Sequence, residues 1–140
     1  MTPLTTSIDV RVRFSEVDSL GMVWHGHYVK YLEDARETFG RQFGLEYMRI
    51  FENGYITPIV EMHVKYKHTA TVDDILTIHI TYRPERGGKL TFDYTMRRKR
   101  DNLLILTATT TQLFVTRDGM FEPSCPDFFQ AWKDHWHITL

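Results

Sequence analysis

Cysteine is nearly absent from this sequence. Cys125 stands alone among 140 residues, so no disulfide can close within the chain, and a reducing compartment is expected. Long apolar runs are missing too, and nothing approaches the roughly 20 residues that a membrane span needs. The first ten residues, MTPLTTSIDV, lack the basic start and apolar stretch of a signal peptide. A cytoplasmic location is therefore expected. Neither sign of charge is in excess. A formal net charge of −1 argues against a general nucleic-acid or membrane-surface binder. No linker, repeat or low-complexity tract interrupts the chain, which reads as one domain over residues 1–140. Glycine-rich phosphate loops of the Walker or Rossmann type are missing. Ser15, Asp18 and His25 are the residue types of a hydrolase triad, but no G-x-S-x-G elbow exposes a serine. His25 and His27 have no second Cys, His or carboxylate cluster at ligand spacing, so neither a metal nor a cofactor is expected. His135 and His137 repeat that spacing in what reads as a solvated tail.

What is present is a change of period. Residues 7–14 alternate, with Ile8, Val10, Val12 and Phe14 on one face of a half-buried strand. Tyr28, Tyr31, Leu32, Ala35, Phe39 and Phe43 then follow helical spacing, which predicts one long amphipathic helix from about His27 to Phe43, ended by Gly44. A shorter helix is expected over Glu46–Glu52 before Asn53-Gly54. From Ile56 the period returns to two. Val60, Met62, Val64 and Tyr66 share a face, as do Leu76, Ile78, Ile80 and Tyr82, and then Leu90, Phe92, Tyr94 and Met96. A Thr-rich strand follows over Leu103–Val115. Turn chemistry at Thr71–Asp74, Gly87-Gly88, Asp101-Asn102 and Asp118-Gly119 separates these runs. The tail has helical character from Asp127 to Trp136. The fold class is α+β: an antiparallel sheet of about five strands wrapped around one long helix. Such a sheet has edges, and edges of this length invite a second copy, so a homodimer is expected.

Residues 14–31, FSEVDSLGMVWHGHYVKY, concentrate chemistry between the first strand and the long helix. Glu16 and Asp18 are carboxylates placed to act as general base or nucleophile, or else to cap a turn. Met22, Val23 and Trp24 form an apolar wall expected to desolvate them in part. The helix start beyond His25 offers unpaired backbone N–H groups to a carbonyl oxygen gaining negative charge. Gly26 lets the backbone approach a ligand closely. Tyr28 and Tyr31 either shape an acyl pocket or pack the core. Cys125, between prolines, is a poor candidate thiol nucleophile.

A second feature is electrostatic. Arg83, Arg86, Lys89, Arg97, Arg98, Lys99 and Arg100 fall in one 18-residue stretch with only Glu85 and Asp93 against them, and Lys65, Lys67 and His68 lie upstream. Such a run is a solvated hairpin or a patch for the phosphates of a nucleotide-bearing substrate, with Lys65, Arg83, Arg86, Lys89 and Arg97 as candidates.

Phe14–Arg36 resembles the signature of the 4-hydroxybenzoyl-CoA thioesterase family, carried by Glu16, Asp18, Gly21, Val23, Trp24, His25, Tyr28 and Ala35-Arg36. The similarity extends over roughly residues 6–116. The resemblance implies a hotdog fold and hydrolysis of an acyl-CoA, or acyl carrier protein, thioester to free acid and thiol. It implies Asp18 as nucleophile or general base, and His25 in an assisting position near a helix start that polarises the carbonyl. It also implies a site at a homodimer interface, with dimers pairing into homotetramers. Trp24, Gly26, Tyr28, Lys65, Arg86 and Lys89 are the expected substrate contacts. Two departures stand out: Glu16 where aspartate is commoner, and His68 in place of a proline. Two other functions fit the same outline. A hotdog hydratase or dehydratase would carry a different histidine signature, and a non-catalytic acyl-CoA-binding module would tolerate loss of Asp18.

Overall fold

A computed structural model describes residues 3–140. Met1 and Thr2, which open the MTPLTTSIDV stretch and the expected 1–140 domain, lie outside the described residues. The elements in chain order are β1 (Thr5–Arg11), α1 (His27–Phe43), α2 (Tyr47–Glu52), β2 (Tyr55–Ile56), β3 (Ile59–Tyr66), β4 (Ile75–Arg83), β5 (Lys89–Arg98), β6 (Leu103–Leu113), β7 (Val115–Thr116) and α3 (Asp127–His135). One antiparallel sheet has the order β1-β4-β5-β6-β3, and β2 pairs with β7 apart from it.

The period-two runs are the strands because each presents one apolar face. Leu76, Ile78, Ile80 and Tyr82 of β4 are buried, as are Leu90, Phe92, Tyr94 and Met96 of β5. Leu76 lies opposite Arg98, and Tyr82 opposite Phe92, so the two apolar rows share the inner face. Across it lies α1, whose buried stripe is Tyr28, Tyr31, Leu32, Ala35, Phe39 and Gly40. Phe39 meets Phe92 edge-on with ring centroids 4.9 Å apart. Burying side chains of this size removes apolar surface worth roughly 1.5–3 kcal/mol each, the main favourable term holding helix to sheet. Gly44 ends α1 at φ 83°, and its N–H donates to the Gly40 carbonyl. A left-handed residue at this position favours glycine.

One expectation changes, and the strand order adds a second finding. Alternation does not continue to Phe14: β1 stops at Arg11, Val12 is buried, and Phe14 begins a single 3₁₀ turn with its ring 83% exposed. The turn removes Phe14 from the strand's pleat. Secondly, β3 does not pair with its successor β4. The segment after Tyr66 crosses to the other side of the sheet, leaving β3 at one edge beside β6. A register shift between Ile59 and Glu61 turns Val60 outward, where it is 54% exposed.

Candidate active site

Residues 16–24 fold into a narrow hairpin immediately ahead of α1. The Trp24 N–H donates to the Glu16 carbonyl (3.1 Å), and the Asp18 N–H donates to the Met22 carbonyl (2.8 Å). Gly21, at φ 78°, closes the tip by donating to the Asp18 carbonyl. Asp18 therefore sits at the tip, exposed. Its Oδ1 accepts the N–H groups of Leu20 (2.9 Å) and Met22 (3.3 Å). Oδ2 has no partner among the described residues. One oxygen is thus fixed by backbone donors while the other faces outward. Within one chain the expected apolar wall does not close over this carboxylate: Val23 points into the core, Met22 is half-buried, and Leu20 is 76% exposed.

The hairpin's return strand runs through Trp24, His25 and Gly26 into the first turn of α1. No side chain caps that end. The His27 N–H is taken by the Trp24 carbonyl at 2.9 Å, which leaves first-turn N–H groups for other acceptors, as at any α-helix start. The positive end of the helix dipole adds to the same place. Gly26 matters for a steric reason. The Trp24 indole folds over it so closely that a Cβ there would lie 2.0 Å from the ring. His25 is exposed beside the indole, centroid to centroid 4.8 Å, and its carbonyl accepts the Tyr66 hydroxyl at 3.3 Å.

Tyr28 is buried and anchors the helix rather than opening a pocket. Its hydroxyl accepts the Ala70 N–H at 3.0 Å, and its ring lies 5.8 Å from that of Tyr66. The two carboxylates of the motif part company. Glu16 is buried, and its Oε1 accepts both the Arg13 N–H and the Tyr31 hydroxyl at 2.8 Å. Burial alone would push this carboxyl up, but those two donors, with Lys30 and Arg13 nearby, carry it below its ordinary value. Burial and the Glu16 carboxylate push the Tyr31 phenol well up. Sequence reading left Glu16 unassigned because its helix partner lies 15 residues away. His27, weighed beside His25 as a ligand, keeps its Nδ1 buried without a hydrogen-bond partner among the described residues. His68 has a structural role: its Nδ1–H donates to the Leu104 carbonyl at 2.8 Å.

The basic run does not form one patch. Arg83, Arg86 and Lys89 lie at the β4–β5 turn, and Arg97–Arg100 lie at the opposite end of β5, on the order of 30 Å away at strand rise. The second group is occupied. Arg98 pairs with Asp101, holding that carboxyl down to about 2, while Lys99 pairs with Asp9 and Arg100 with Asp74. Arg97 donates to the Asn102 carbonyl. Arg83 pairs with Asp93. Lys65, Arg86 and Lys89 are exposed and have no carboxylate partner among the described residues. Lys65 is at the Asp18 end of the sheet, on edge strand β3; Arg86 and Lys89 are at the far end.

Residues 12–133 match the family profile described as the thioesterase-like superfamily. The chain belongs to the thioesterase-like superfamily. Among the relatives of this superfamily member is a Bacillus subtilis protein provisionally named acyl-CoA thioesterase YneP, 26% identical over 131 residues, which are 94% of this chain and 91% of that one. The 4-hydroxybenzoyl-CoA thioesterase of Pseudomonas sp. strain CBS-3 is 29% identical over 115 residues, covering 78% of this chain and 82% of its own. The crystal structure of a DHNA-CoA thioesterase from Staphylococcus aureus superposes with a TM-score of 0.83 at 21% identity, covering 95% of this chain and 89% of that one. The fold is thus the hotdog fold that the resemblance implied, an antiparallel sheet wrapped around α1. No helix among the described residues is long and apolar enough to cross a membrane.

Proposed function

We propose that this superfamily member is an enzyme hydrolysing an acyl-CoA thioester, or its acyl carrier protein equivalent, to a free acid and a thiol. The observation that carries the reading is the Asp18 carboxylate. One oxygen is anchored by Leu20 and Met22, the other has no partner among the described residues, and the chain bearing it returns directly into the start of α1, which no side chain caps. Oδ2 attacks the thioester carbonyl or takes the proton of the water that does. The carbonyl oxygen collects negative charge at the first-turn N–H groups, with His25 beside it. The C–S bond then breaks, the thiolate takes up a proton, and water supplies the new oxygen of the acid. A thioester is activated enough for positioning and oxyanion stabilisation to drive this without a metal.

A homodimer supports this chemistry. The β3 edge carries exposed Val60 and Tyr66, and a two-fold antiparallel pairing of β3 with its copy sets the copy's far end beside this chain's Asp18. Arg86 and Lys89 of the second copy, with Lys65 of this chain, then reach the phosphates of one coenzyme A arm. Trp24 and Gly26 flank the thioester, and Tyr28 fixes the helix behind it. Pairs of dimers complete a tetramer, and the enzyme works in the cytoplasm. Release of free thiol across a panel of aliphatic and aromatic acyl thioesters tests the reading. A monomeric protein that hydrolyses none of them overturns it.

A further inference from the structure

The hairpin that carries Asp18 is tied to α1 by a buried side-chain hydrogen bond, from the Tyr31 hydroxyl to Glu16. Glu16 stands at the hairpin base, and its N–H, its carbonyl and its Oε1 are all engaged. Its N–H donates to the Arg13 carbonyl (2.9 Å), and its carbonyl accepts the Trp24 N–H (3.1 Å). Its Oε1 joins the Arg13 N–H to the Tyr31 hydroxyl. Tyr31 is 1% exposed and lies one turn into the helix, four residues after His27. The ring of Tyr28 meets that of Tyr31 edge-on at 6.2 Å, and its own hydroxyl is spent on Ala70, the residue whose carbonyl holds Val23 of the return strand (2.9 Å). Beyond Glu16 the hairpin backbone is held by a bridge between Val17 and Val23, a second between Met22 and Thr71, and the Val72 N–H on the Gly21 carbonyl (3.3 Å), with Asp18, Ser19 and Leu20 exposed.

We infer that Glu16 is a positioning residue, whose buried bond to Tyr31 fixes the orientation of the Asp18 hairpin relative to the N-terminus of α1. The inference rests on the proposed thioesterase reading for its effect on turnover, though not for its effect on the hairpin. Glu16 is 7% exposed with Oε1 turned to Tyr31 inside the fold, so it acts through Asp18. The bond needs an acceptor at residue 16 rather than a charge. An angular error at the hairpin base is magnified at its tip, and misplacement of a reacting group by about 1 Å can cost 10²-fold in rate.

The test uses the full chain with five variants, the fifth being the double variant Glu16→Ala with Tyr31→Phe. Glu16→Ala and Tyr31→Phe remove the bond from either side. Glu16→Gln keeps an acceptor of the same length. Tyr94→Phe removes a comparable buried bond, to Thr110, far from the hairpin. Two readouts are taken on folded protein: steady-state kinetics on whichever thioester is hydrolysed, and amide exchange at Met22 and Trp24. The expected result is a tenfold or greater fall in kcat for Glu16→Ala and Tyr31→Phe at nearly unchanged KM. The double variant should be no worse than Glu16→Ala, and Glu16→Gln should stay within about threefold of the parent. Exchange at Trp24 should quicken at least tenfold in the first two variants and stay unchanged in Tyr94→Phe. Unchanged exchange overturns the inference whether or not any thioester turns over. Equal damage from Glu16→Gln and Glu16→Ala also overturns it, because the charge would then be the active feature. A parent protein without hydrolysis sinks the thioesterase reading alone, and the exchange data still decide on Glu16.

Discussion

The two ends of the sheet are finished in opposite ways. At the β4–β5 turn the chain is closed. Helix α3 packs Phe129 and Trp132 against Phe114 and Tyr82, with Phe129 and Trp132 stacked at 5.6 Å. Lys133, 1% exposed, sends its ammonium to the Glu85 carbonyl at 2.9 Å across the ring of Phe129. At the other end the chain is open. Phe14, Leu20, Trp24 and Tyr66 are exposed around a carboxylate and an uncapped helix. One end packs aromatic rings around a buried lysine, and the other leaves apolar side chains and a carboxylate facing outward. Substitutions should therefore separate cleanly into those that change turnover and those that change stability.

The largest separation is expected from Asp18→Asn. It keeps the acceptor for Leu20 and Met22 but removes the charge and the basicity. General-base or nucleophilic assistance is worth about 10²-fold or more, so kcat should fall by at least that factor while affinity for a CoA ester and the melting temperature hold. A folded variant that retains most of its turnover would break the assignment. Lys133→Met is the counterpart at the closed end. It fills the same volume but strips the Glu85 carbonyl of its donor, and an orphaned buried polar group costs roughly 1–3 kcal/mol. Chemical denaturation should register that loss, and kcat should not move.

A smaller effect belongs to Gly26→Ala. The new methyl cannot coexist with the Trp24 ring in its present place, so the indole must swing off the helix start. An increase in KM of several-fold, with Trp24 fluorescence altered in the free protein, would mark the indole as part of the substrate wall. Unaltered KM would make Trp24 a mere cover. For the phosphate contacts the comparison is between the unpaired and the paired cations. Arg86→Ala and Lys89→Ala should each raise KM a few-fold and flatten its dependence on salt, whereas Arg98→Ala should do neither.

The helix, its glycine stop and the faces of the strands were legible because apolar period reports which side of an element is buried. Period does not report neighbours. Hence period could not show that β3 lies three strands away from its successor β4 across the sheet. The basic run misled for a related reason. Residues 83–100 are contiguous in sequence, but an extended hairpin carries its turn and its strand ends far apart. That Asp18 lies close to the helix start was legible because the two adjoin in sequence. The different work of Glu16 was hidden, since two carboxylates two residues apart look alike until one is seen to bond Tyr31 inside the core.

The smallest predicted effect bears on how the open end responds to acid. The folded-state pKa of Glu16 lies below the ordinary glutamate value, because the Arg13 N–H and Tyr31 hydroxyl outweigh the burial that opposes them. A carboxyl shifted in that direction contributes stability that is fully present above the unfolded value, about 4.3, and is lost as pH falls through the lower folded value. Glu16→Gln removes this one proton from the linkage, so its stability should depend less steeply on pH below about 4.3 than that of the parent. Lys133→Met, whose charge pairs with no carboxylate among the described residues, should shift the whole curve down without changing its slope. Parallel acid limbs for the parent and Glu16→Gln would mean that the Glu16 carboxylate gains nothing from its two donors. The closed and open ends would then differ in packing alone.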